Sequence, residues 1–179
     1  MLERPCGECG YDARAVRPAD VNDRINANAG AWRAVLAGPR VTVRPEQEVW
    51  SPLEYACHVR DVHRVFADRV RRMQAEDDPL FANWDQDEAA ERGGYGEQDP
   101  STVAGELVEA AAVATDLYGS VTGVQWDRPG RRSNGSAFTT LSLARYHLHD
   151  VEHHLHDVAG HDAGLDPGLD TAPEPGLGT

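Results

Sequence analysis

Apolar residues recur at intervals of three and four in four separate stretches, and each stretch predicts a helix. The first covers Pro18 to Ala37, with Ile25, Trp32, Val35 and Leu36 as its apolar positions; Asp20 or Asn22 can cap it, and Gly38-Pro39 ends it. The second opens at Trp50-Ser51-Pro52-Leu53-Glu54. Ser51 is placed as N-cap, Pro52 as the first helical residue and Glu54 as the reciprocal member of a capping box, with Trp50 positioned to pack as a staple. Ala56, Val59, Val62, Phe66, Val70 and Met73 carry the pattern on to about Gln74. Asp99-Pro100 opens a third helix through Val103, Leu107, Ala111 and Ala114 to about Gly119. A fourth starts at Thr139 or Thr140. Leu141, Leu148 and Leu155 recur every seven residues there, as do Ala144, Val151 and Val158, so this helix packs along a seam. The linker RVTVRPEQEV alternates too briefly to need a sheet. Four helices and no convincing strand predict an all-α four-helix bundle.

The connections are long. Residues 77–98 form an acidic stretch with Pro79 and Gly93, Gly94 and Gly96, where Phe81 and Trp84 predict partial packing and Trp84 and Asp85 are placed to form a lid. A second loop, anchored by Trp126, carries Arg128, Arg131 and Arg132, which read equally as a solvated loop or an anion-binding spot. The organisation expected is a short N-terminal segment (1–17), a single bundle domain (18–160) and a disordered Gly- and Pro-rich tail (161–179).

Charge narrows the partners. A formal charge of -13 argues against nucleic acid or an anionic membrane surface as the main partner. All 17 positive residues are arginine, which removes lysine Schiff-base and P-loop chemistry and fits a GC-rich coding bias. There is neither an apolar run of membrane-spanning length nor a signal-peptide pattern, so a cytoplasmic location is expected.

Candidate chemistry concentrates in Arg145 to His161, which holds six of the eight histidines. His149 and His153 stand four apart and share a helix face; His156 lies on the same flank of the leucine seam, whereas His147, His154 and His161 lie on the other. His147 and His154 are the alternative pair. In the second helix His63 falls inside the apolar stripe, as a core histidine would, while His58 sits on its flank near Asp61. Near the start, Cys6 and Cys9 form a C-x-x-C-G turn with the shape of half a zinc knuckle, or of a redox pair. Two more zinc ligands would have to come from Cys57, a histidine or a second subunit.

The stretch Trp50-Ser-Pro-Leu-Glu-Tyr-Ala-Cys-His58-Val-Arg-Asp61, followed late in the chain by His149-x-x-x-His153-His154, resembles the DinB-like superfamily of metal-dependent bundles, over about residues 18–160. That superfamily includes mycothiol-dependent maleylpyruvate isomerase and bacterial thiol S-transferases. The resemblance implies a divalent metal, zinc first and nickel or iron next, held by His58, His149 and His153. Asp61 and Asp150 would orient the ligating rings through their second nitrogens. It also implies thiol S-transfer to, or isomerisation of, a small electrophile, with mycothiol as the thiol. A metal-dependent hydrolase and a non-catalytic metal-binding bundle, as a homodimer, are the alternatives. Cys6 and Cys9 fall outside the resemblance.

Overall fold

The computed structural model describes residues 3–162. Four long helices form the body: α1 (Val21–Leu36), α2 (Pro52–Ala75), α4 (Pro100–Ser120) and α5 (Thr140–Asp162); a short α3 (Gln86–Gly93) lies between α2 and α4. The strands β1 (Leu80–Phe81), β2 (Pro129–Arg132) and β3 (Ala137–Thr139) make a small sheet in the order β1-β2-β3. The tail expected to be disordered lies, from residue 163 on, outside the described residues.

Local chemistry sets the helix ends. Ser51 Oγ accepts from Glu54 N–H at 3.3 Å and Glu54 Oε2 accepts from Ser51 N–H at 2.8 Å, so the capping box at the start of α2 closes as its sequence predicts. Arg44 clamps the same Glu54, with its Nε 2.9 Å from Oε2. Trp50 packs edge-on against Tyr55, with ring centroids 5.6 Å apart, which fixes the angle at which the chain enters α2. Asp99 accepts from Thr102 N–H at 2.8 Å ahead of Pro100. At α5 the cap is Thr139, whose Oγ1 accepts from Ser142 N–H at 3.1 Å. Asp20 does not cap α1: its carboxylate is taken by the backbone and guanidinium of Arg17, and a 3₁₀ turn over Pro18–Asp20 precedes the helix.

Core packing follows the apolar stripes. Ile25 and Trp32 of α1, Leu53 and Met73 of α2, Leu107 and Tyr118 of α4, and Leu143 and Leu148 of α5 are all fully buried, each such side chain contributing roughly 1.5–3 kcal/mol. Some of the buried polar side chains link the helices. Asn28 of α1 donates to the Val151 carbonyl of α5 at 2.9 Å, and His63 Nδ1 meets His147 Nε2 at 2.9 Å, with Tyr118 Oη 3.3 Å from His147 Nδ1.

The sheet and α3 depart from the sequence expectation. β1 pairs with β2 in parallel and β2 with β3 antiparallel. These strands are only two to four residues long, too short for a periodic signal. Gly130 is what lets β2 press down: a Cβ there would fall 2.8 Å from the Phe81 ring and 2.9 Å from Met73 Cγ. Arg128 donates to the carbonyls of Met73 and Glu76, closing the C-terminal end of α2. From there the chain runs back along α2. Arg72 holds the Leu80 carbonyl at 3.2 Å, Arg69 lies 3.5 Å from the Ala82 carbonyl, and Trp84 arrives over His58. Among the described residues no helix is long and apolar enough to cross a membrane.

Candidate metal centre

Helix α5 carries two neighbouring rows of donors, offset by one residue, which the helical repeat turns by about 100° from one another. The leucine seam decides where each row faces. Ala144, Leu148, Val151 and Val158 are buried in the bundle, with His147 beside them. One flank, Glu152, His149 and His153, turns to α1 and the segment before it, where Arg24 holds Glu152. The other flank, Asp150 and His154, turns to α2 and meets His58.

His58, Asp150 and His154 bring three donor atoms within 4.8 Å of one another. Asp150 Oδ1 lies 3.2 Å from His58 Nε2 and 3.8 Å from His154 Nε2. Around a divalent ion with Zn–N and Zn–O bonds of ~2 Å, tetrahedral ligand atoms stand about 3.3 Å apart, so the donors fit such an ion with little movement. Two imidazoles and one carboxylate also match in type. Burial pushes the Asp150 carboxyl up, but the hydrogen bond to His58 and the imidazoles of His58, His154 and His149 outweigh it and hold the carboxyl below its usual value. Burial lowers His154, against the pull of Asp150, which favours the neutral ring a metal requires.

Aromatic rings wall this group. Trp84 stacks on His58 with centroids 5.3 Å apart, Trp50 tilts against it at 5.5 Å, and Tyr55 lies 5.2 Å from His154. His58 Nδ1 is buried without a hydrogen-bond partner, so the ring is held by stacking and by the contact of its Nε2 with Asp150. On the wall residue Trp50 there also borders a cleft of about 510 Å³, lined by Arg44, Glu54, Tyr95 and the acidic side chains Asp87, Glu91 and Glu97.

The three histidines expected as one ligand set are divided. His58 groups with Asp150 and His154, whereas His149 and His153 group with Cys6 and Cys9. The helical wheel alone could not choose between rows one position apart. Asp150, expected to orient a ligand, sits among the donors themselves. Asp61 is held elsewhere, by Arg60, Arg64 and the Tyr95 hydroxyl, which donates to it at 2.6 Å. Asp85 caps α3, accepting from Asp87 and Glu88 N–H. His63 and His147 are core residues bonded to each other, and burial draws the His63 ring down to about 4. His156 is exposed, and His161 lies where side chains are not described. Cys57 is buried, its thiol pushed up to about 12. The arginine-rich loop is spoken for by α2 carbonyls, by an Arg131–Asp78 ion pair at 2.8 Å, and by Arg132 over the Phe138 and Tyr146 rings.

Four long helices with imidazole and carboxylate donors converging between two of them define a helical-bundle protein built around a candidate metal centre. The model of the DinB superfamily matches residues 34–158, and the chain belongs to this superfamily. Among solved structures, YfiT from Bacillus subtilis, described as a probable metal-dependent hydrolase with an unusual four-helix bundle topology, is similar in fold: TM-score 0.73 and 18% identity, over 92% of this chain and 99% of YfiT. No curated protein matches the sequence.

Proposed function

We propose that the chain is a divalent-metal-dependent enzyme whose centre is His58, Asp150 and His154, and that it activates a low-molecular-weight thiol of the mycothiol type for S-transfer to, or isomerisation of, a small electrophile. The observation that carries the metal part is the convergence of Asp150 Oδ1 with two Nε2 atoms beneath an aromatic wall. Three protein donors leave positions open, as catalytic sites do and closed structural sites do not. When bound, a divalent ion at such a site acts as a Lewis acid and draws a proton from a coordinated nucleophile. The chain's own residues do the rest. Asp150 supplies the negative charge that holds the cation, Trp84 and Trp50 restrict water and present flat apolar faces to an electrophile, and Tyr55 packs against His154. The sequence resemblance to mycothiol-dependent isomerase and thiol transferases supports the thiol.

Hydrolysis is the second reading, favoured by the likeness of fold to YfiT and its description as a probable metal-dependent hydrolase. Turnover of a small electrophile by the zinc-loaded protein, with and without added thiol, separates the two. The thiol reading expects consumption of thiol in step with electrophile. Equal turnover without thiol would replace it by hydrolysis, and no turnover with any of zinc, nickel or ferrous iron would sink the enzymatic reading.

A further inference from the structure

The donors the proposed centre does not use form a second group. Cys6, Cys9, His149 and His153 each offer one atom within 4.8 Å of the others, which are the four positions of a Cys2His2 zinc site. The sulfur and nitrogen of two ligands on a tetrahedral zinc stand about 3.5 Å apart, given bonds of ~2.3 and ~2.0 Å; Cys6 Sγ lies 3.8 Å from His153 Nδ1. Both thiols are free and partly buried.

Three features outside the donor count point to an ion. His149 Nε2 is buried and has no hydrogen-bond partner. His153 is held by its other nitrogen, with Nε2 3.3 Å from Glu8 Oε2 and 3.5 Å from Asp157 Oδ1, so that Nδ1 is left facing the cysteines. The C-x-x-C-G segment folds as a knuckle: Cys6 N–H donates to the Tyr11 carbonyl at 2.9 Å, and Gly10 N–H donates to the Cys6 carbonyl at 3.1 Å with Gly10 at φ +74°.

We propose that Cys6, Cys9, His149 and His153 bind a structural zinc ion that clamps the N-terminal segment onto α5. The site stands independently of the function proposed above, since it shares no ligand with the His58 group. Around the clamp, Tyr11 stacks on His149 with centroids 5.1 Å apart and donates to the Arg145 carbonyl at 2.7 Å, while Arg145 returns to the Val16 carbonyl at 2.9 Å. The ion would lock one donor row of α5 from outside, and the adjacent row, Asp150 and His154, is thereby held toward His58. Four ligands close the shell, so this zinc has no place for substrate.

The test uses the full chain, purified under reducing conditions, stripped of metal and reloaded with Co2+. The expected result is two cobalt equivalents per chain and a thiolate-to-cobalt charge-transfer band in the near ultraviolet. Cys9→Ser removes that band and one equivalent; His58→Ala removes the other equivalent and leaves the band. A reduced, cobalt-loaded protein without the band, or a Cys9→Ser variant with an unchanged cobalt count, overturns the proposal. Loss of the His58-dependent equivalent alone in wild type, with the band intact, would count against the proposed enzyme centre and support the clamp. Should Cys9→Ser fail to fold, the wild-type thiols decide: zinc-loaded protein protects Cys6 and Cys9 from a disulfide reagent until a chelator withdraws the ion. Equal reactivity before and after chelation overturns the clamp.

Discussion

The two donor rows of α5 differ by a single residue in register and in almost everything else. His149 and His153 face a knuckle contributed by the segment ahead of α1, where the potential donors number four and two of them are sulfur. Asp150 and His154 face a histidine in the second turn of α2, with oxygen and nitrogen donors, three of them, and tryptophan over the top. Under the two proposals, a single helix would carry the ligands of a fastening on one side and of a reactive centre on the other. What separates them is the partner each face meets, since the helix itself supplies histidines to both.

Single substitutions break the comparison most sharply. His154→Ala is expected to lower kcat/KM of the metal-loaded protein by more than about 100-fold while leaving the thermal midpoint near wild type, whereas His153→Ala lowers the midpoint and costs less than about tenfold in kcat/KM. Steady-state kinetics beside calorimetry check this, and matching effects from the two variants would erase the distinction between the rows. Next in size is the buried pair in the middle of the bundle, where histidine serves neither purpose. An unfolded His63 takes its proton near 6.5 and the folded one only near 4, so the unfolded state binds more protons between those values. Stability present in full above pH 6.5 is therefore lost as pH falls toward 4, on the order of 3 kcal/mol from His63 alone. Urea midpoints across this window measure it, and His63→Leu should flatten the dependence.

Smaller changes sharpen the contrast. Asp150→His turns the open centre into an all-imidazole set and removes a negative charge beside the ion; the pH profile of activity should move to lower pH by about one unit, with metal content kept. A profile that does not move would place Asp150 outside the centre. Ser51→Ala removes one half of the capping box and is expected to cost about 1 kcal/mol in urea denaturation, with little change in metal content.

The bundle was legible because its signals are local. The Ser51–Glu54 box and Asp99-Pro100 each lie within a few residues and act on the adjacent backbone, and the buried positions Leu148, Val151 and Val158 show themselves by helical spacing within one segment. The small sheet was not, since β1 to β3 are short and Gly130 earns its place through Phe81 and Met73, distant in sequence. The centre was legible in part. The family resemblance of the Trp50–Asp61 stretch singles out His58, but Asp150-x-x-x-His154 has the same spacing as His149-x-x-x-His153, and acids on helix surfaces are too common to mark a ligand. Only the packing of α5 against α2 on one side and the knuckle on the other assigns the rows. The partners of Cys6 and Cys9 lie some 140 residues away in the chain, beyond any spacing rule.

The donor sets also differ in charge balance. Two thiolates cancel a divalent cation, so a filled knuckle is electrically silent, whereas one carboxylate leaves the His58 centre with a net positive charge. That charge would sit beneath tryptophan in a chain whose formal charge is -13. An anionic small molecule is then repelled by the protein at long range and attracted only at the last few ångströms. For such a substrate added salt speeds capture, and for a cationic one it slows it, which makes the ionic-strength dependence of kcat/KM a reading of substrate charge.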